Sequence, residues 1–94
     1  MKNYITLPDG RRKTCRIFDN GGKTNDRYTA VYRTVRSING LYWPYLGMNA
    51  APFDPQGIGQ HGELNEKPGR HLGKRIAFDE LPEDCQKTII QDLT

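Results

Sequence analysis

Long apolar runs are missing from this 94-residue chain, as is any pair of closely spaced cysteines. Nothing in it approaches the roughly 18 consecutive apolar residues of a membrane-spanning helix. Metal-binding and redox signatures are absent too: Cys15 and Cys85 stand far apart, and His61 and His71 form no H-x-x-x-H pattern. Leu, Ile, Val and Phe together number only nineteen, close to the composition of disordered chains. The net charge of +3 is too small for that class, and five Tyr and one Trp add the missing apolar area. A folded but modest core is therefore expected. The length suits one domain, 1–94, and is too short for a Rossmann, barrel or kinase fold.

The start of the chain has no apolar stretch of the kind a secretory leader carries, and Lys2 is incompatible with N-myristoylation. The expected setting is cytoplasmic, with both cysteines reduced and buried. A 15–85 disulfide would require an oxidising compartment.

Charge is unevenly placed. Residues 1–46 carry nine Lys or Arg against three acids, and residues 47–94 carry five against eight. Such asymmetry fits a basic face for an anionic partner, or an ordinary solvated surface with two attracting halves.

The local patterns divide the chain into a strand-rich basic half (1–48), a Gly/Pro-rich loop (49–73) and a short strand with a C-terminal helix (74–94). Tyr4–Leu7 and Lys13–Phe18 flank Pro8-Asp9-Gly10, whose proline presets φ and whose glycine permits a positive one, so a hairpin is expected. Arg27–Val35 alternates as a half-buried strand. Tyr28, Ala30, Tyr32 and Thr34 share one face, and Thr29, Val31, Arg33 and Val35 share the other. Asn39-Gly40 suits a tight hairpin, with a return strand over Leu41–Met48 at an edge or broken at Pro44, which has no N–H to donate. Residues 49–73 hold three prolines and five glycines and read as one long irregular loop. After a short strand over Arg75–Phe78, Pro82 fits a first helical position, and Glu83 and Asp84 suit the helix N-terminus. Cys85, Ile89 and Leu93, with Ile90, form its apolar stripe. The expected fold is α+β: a small antiparallel sheet of three to five strands, one C-terminal helix packed on it, and a long Gly/Pro loop.

Chemical motifs are few. Gly21-Gly22-Lys23-Thr24 resembles the end of a phosphate-binding loop, but Ile17 stands where that motif needs glycine and a strand follows where it needs a helix. Gly57-Ile58-Gly59-Gln60-His61-Gly62 matches G-x-G-x-x-G in letters without its strand-to-helix context. Cys85 falls on the apolar stripe, and no nucleophile, base and carboxylate combine into a catalytic set. No catalytic residue, cofactor or metal site is expected, and a small enzyme using Cys85 or His61 is the weakest reading.

Basic and aromatic residues interleave between 11 and 45. Arg11, Arg12, Arg16, Arg27 and Arg33, lying amid Tyr28, Tyr32, Tyr42, Trp43 and Tyr45, are the candidate nucleic-acid-binding residues: arginines neutralise phosphates while rings stack on bases. Against this, the tyrosines of a leucine-poor protein can simply be its core. A second class of function is a protein–protein module, with Tyr42, Trp43, Tyr45, Gly57, Gly59 and His61 as candidate contacts in and before the 49–62 loop.

Four runs together resemble a family of small uncharacterised proteins encoded in bacteriophages and related mobile elements. They are Asp19–Thr24 with Asp26–Thr29, Pro52–Gly62, His71–Ile76 and Leu81–Gln86. The resemblance spans most of the chain. It implies a bacterial cytoplasmic setting and an accessory role, and it carries across no catalytic residue. The expected function is thus non-enzymatic binding of an acidic partner, nucleic acid or an acidic protein surface. The alternative is a module inhibiting or regulating a host enzyme or defence complex.

Overall fold

A computed structural model describes residues 2–24, 26–32, 43–54, 58–64 and 70–94; for Trp43 and 58–64 the description is of the backbone. Expectations that fall on Arg33, Asn39-Gly40, Tyr42 and Gly57 lie outside the described residues.

The expected first hairpin forms. Strand β1 (Tyr4–Thr6) pairs antiparallel with β2 (Arg12–Asp19), and the turn closes through Gly10 N–H to Leu7 O at 2.9 Å. Gly10 takes φ +89°, the left-handed conformation that favours glycine. On its other edge β2 pairs with β3 (Tyr28–Tyr32), which pairs with β4 (Trp43–Met48), which pairs with β5 (Ile58–Leu64). β6 (Lys74–Ile76) returns to β2 on the edge opposite β3, beyond the end of β1. Every described pairing is antiparallel, and one helix, α1 (Glu83–Leu93), closes the chain, so the α+β architecture read from the sequence is observed.

Three local expectations are corrected. Residues 49–73 are not a single loop, because β5 lies within them. Its two glycines and polar residues hide a strand whose pairing comes from β4 rather than from its own β propensity. For the same reason β4 is neither broken nor an edge strand. Pro44 is tolerated because the described pairing with β3 ends at Tyr45, leaving Pro44 opposite Glu63 alone. Pro82 takes the position just before the helix rather than its first turn, and its carbonyl accepts from Cys85 and Gln86 N–H.

Register decides which side chains share a face, since directly opposed residues point the same way. One face gathers Ile5, Cys15, Ile17, Tyr28, Ala30, Tyr32, Leu46, Met48 and Ile76, which join Leu81, Cys85 and Ile89 in one buried cluster beneath α1. Tyr28 and Tyr32 are core, filling volume that a richer sequence would give to leucine. The opposite face is buried at its centre by Phe18, Thr29 and Val31. Toward β1 and β6 it opens: Thr6 and Arg12 are exposed, and Tyr4, Thr14, Arg16 and Arg75 are half-buried. No helix among the described residues is long and apolar enough to cross a membrane.

Candidate nucleic-acid interface

The five arginines singled out in the sequence do not form one surface. Arg11 sits in the first turn, where its Nε donates to Asp9 Oδ2 at 2.6 Å and its backbone N–H to Asp9 Oδ1. These bonds hold the Asp9 carboxyl below its ordinary pKa, the backbone bond contributing most. Arg27 grips Asp19 with Nε to Oδ1 at 2.9 Å and Nη2 to Oδ2 at 3.2 Å, and it lies 5.2 Å from the Tyr28 ring. Both are already neutralised by acids, a local pairing that alternation cannot reveal. Arg33 lies outside the described residues.

Arg12 and Arg16 behave differently. Alternation along β2 puts both on the face away from α1, and the register adds Tyr4 and Thr6 from β1 and Arg75 from β6. Arg75 stands opposite Phe18, two residues from Arg16 on the same face, which makes the two guanidiniums diagonal neighbours across β2 and β6. Arg75 reaches over the seam between β6 and the start of β1, where Nη2 donates to Lys2 O at 2.8 Å and to Asn3 Oδ1 at 3.0 Å. Its buried Nε–H has no acceptor among the described residues. Burial and the charge of Arg16 together push its pKa below the ordinary arginine value. Lys2 completes the group, its Nζ lying 5.7 Å from the Tyr4 ring while Arg12 covers that ring at 4.8 Å.

A cleft of about 390 Å3 opens at this seam, with Lys2, Tyr4 and Arg75 on its polar side and Ile5, Ile76 and Phe78 on its apolar side. Among the described residues no acid forms an ion pair with Lys2, Arg12 or Arg75. Of the acids in the C-terminal part, Asp79 lines this cleft with Lys2 and Arg75, while Glu80, Glu83, Asp84 and Asp92 are exposed on or before α1, which covers the other face of the sheet. Lys2 and Arg75 were missed from sequence because they are 73 positions apart. Only the arrival of β1 and β6 on the same edge of β2 brings them together.

The remaining motifs resolve into structure. In the loop after β2, Asn20 Oδ1 accepts from Gly22 and Lys23 N–H at 2.9 and 3.1 Å, so the amides that a phosphate-binding loop would offer are consumed. Gly59 and His61 lie in β5, with His61 opposite Leu46, and that strand placement is not the strand-to-helix turn of a dinucleotide site. Trp43 opens β4, and Tyr45, opposite Val31, is half-buried on the outer face. His71 is exposed in a single 3-10 turn, Arg70–Leu72. No cluster of three or more His, Cys, Asp or Glu side chains exists among the described residues. Cys85 is fully buried and donates its thiol to Asn49 O at 3.3 Å. Burial pushes the Cys85 thiol up to about 11 and that of Cys15 to about 12, so neither is a ready nucleophile.

Comparison with protein-family models, with curated proteins and with solved structures finds no match for this chain.

Proposed function

We propose that the protein is a non-enzymatic binding module that holds nucleic acid on the open part of the outer sheet face, through Lys2, Arg12, Arg16 and Arg75. The observation that carries this reading is the convergence of four cations from β2, β6 and the β1 end on one side of the sheet. Among them Lys2 and Arg12 are exposed. An anion laid across this face would accept charge-assisted hydrogen bonds from the exposed Lys2 and Arg12. The sequence resemblance supports an accessory role for a phage or mobile element in a bacterial cytoplasm.

The test is fluorescence anisotropy of a labelled single-stranded oligonucleotide across a salt series. Four phosphate contacts give a slope of log K against log salt of about −3. Arg12→Gln, at an exposed position, lowers affinity several-fold and makes the slope shallower by about one contact. Affinity that is absent, or flat between low and moderate salt, removes the reading.

A second reading, a protein–protein module acting on a host enzyme or defence complex, rests on Phe53. This ring is 57% exposed at a turn closed by Asp54 N–H to Ala51 O, and so is available as an anchor. Capture of one host protein from nuclease-treated bacterial lysate, lost with Phe53→Ala, would favour it over nucleic acid.

A further inference from the structure

We infer that the basic face grips nucleic acid by its phosphate backbone and leaves the bases unread and unstacked, an inference that rests on the nucleic-acid reading above. Proteins that bind single strands by stacking need ring faces open to a base. Here the rings beside the cations are closed. Tyr4 has the Arg12 guanidinium over it at 4.8 Å and the Lys2 ammonium at 5.7 Å. Phe18 is only 7% exposed, with Arg75 at 5.9 Å from its ring centre. Tyr28 and Tyr32 are each 6% exposed on the opposite face, beneath α1.

The same contacts that close the rings prepare the cations. A guanidinium held against a ring loses rotational freedom while its N–H edges stay available for the paired oxygens of a phosphate. Arg75 is fixed further by its two bonds across the β1–β6 seam. Among the described residues the face is therefore an array of oriented cations, with no side chain beside them positioned to distinguish one base from another. Phosphate contacts of this kind set affinity and position and carry no sequence information. Tyr45 is the one other described ring on this face. It is half-buried and stands two strands from Arg16 across Val31, about 10 Å away by strand spacing.

The experiment compares three ligands of equal length on the intact protein at one low salt concentration: a mixed-sequence single strand, an abasic strand with the same phosphodiester backbone, and inorganic polyphosphate. Binding of the abasic strand within about threefold of the mixed strand, with polyphosphate competing for both, supports the inference. A stacked base is worth roughly fivefold or more in affinity, so an abasic strand bound tenfold or more weakly overturns it while leaving nucleic-acid binding intact. Tyr45→Leu gives an independent reading: unchanged affinity supports backbone recognition, and a loss of fivefold or more restores base stacking. Failure of all three ligands to bind would instead remove the parent reading.

Discussion

Arg27 and Asp19 meet through two parallel hydrogen bonds, so this arginine, prominent in the sequence as a candidate for binding, is spent within the protein. The pair fastens the end of β2 to the start of β3, and Asp19 Oδ1 also accepts from Gly21 N–H at 2.8 Å. Arg27→Ala should consequently leave oligonucleotide affinity within about twofold of wild type, whereas Arg12→Ala weakens it several-fold. Anisotropy titrations of the two variants side by side decide the point; equal losses would mean that charge alone, irrespective of position, governs binding.

The same pair sets an acid limb of stability. Hydrogen bonding from Arg27, first, and the Gly21 N–H hold the Asp19 carboxyl below its ordinary pKa of 3.8. A folded-state value below the unfolded one adds stability above about pH 4, lost as pH falls through the folded value. Asp19→Asn should flatten the decline in urea midpoint between about pH 4 and pH 2. An identical decline in the variant would place the acid sensitivity elsewhere.

Asn20 organises the loop that follows. Its Nδ2 donates to Thr24 Oγ1 at 2.9 Å and Asp26 O at 3.1 Å, while its Oδ1 takes the Gly22 and Lys23 amides. One side chain thus replaces the backbone pairing that a tighter turn would supply. Asn20→Ala should cost about 1–2 kcal/mol, seen as a lower urea midpoint with an unchanged slope. Asn20→Asp keeps the two acceptor bonds and should recover about half of that loss.

Among the described glycines, Gly73 is the least able to change. It takes φ +111°, and a Cβ there would lie 2.3 Å from Asp19 O and 2.6 Å from Asn20 Cα, which are backbone atoms that cannot swing away. Gly73→Ala should therefore cost about 3 kcal/mol or more. Gly10→Ala shares the positive φ but meets nothing within 4 Å, so it should cost only about 1–2 kcal/mol. Thermal melts separate them, since about 1 kcal/mol shifts the midpoint of a domain this size by roughly 4–8 °C. Equal shifts would show that backbone conformation, not the close approach of β2, constrains Gly73.

Much of this fold was legible because its elements carry their own signals. Pro8-Asp9-Gly10 marks the first hairpin, alternation marks β2 and β3, and the spacing of Cys85 and Ile89 marks the buried side of α1. β5 was illegible because Gly59, Gln60 and Gly62 have no intrinsic preference for a strand; its structure is imposed by β4. The binding face was legible only in part. Alternation places Arg12 and Arg16 together, but it contains nothing about Asp9 and Asp19 neutralising Arg11 and Arg27. Nor does it contain the pairing of β6 with β2, which delivers Arg75. Sheet order over long sequence separations is a tertiary property, and the site is built on it.

Both thiols should be silent in the native protein and report its opening. Cys15 is 3% exposed and Cys85 fully buried, and desolvation raises their pKa from 9.0 to about 12 and about 11. Burial likewise raises the phenols of Tyr28 and Tyr32. At pH 8 a thiol-specific disulfide reagent should find fewer than about 0.1 equivalents without denaturant and two equivalents in concentrated urea. Raised folded-state values also fix the sign of the alkaline response. The unfolded chain releases these protons first, so the stability they confer is complete below about pH 9 and is lost as pH climbs toward 11–12. From Cys15 alone the loss reaches roughly 2 kcal/mol by pH 10.5. Urea midpoints at pH 8 and 10.5 measure it, and Cys15→Ala should reduce the difference between them. Rapid labelling of either cysteine at pH 8, or a midpoint that holds steady to pH 10.5, would contradict a closed interior in which sheet and helix keep both thiols from water.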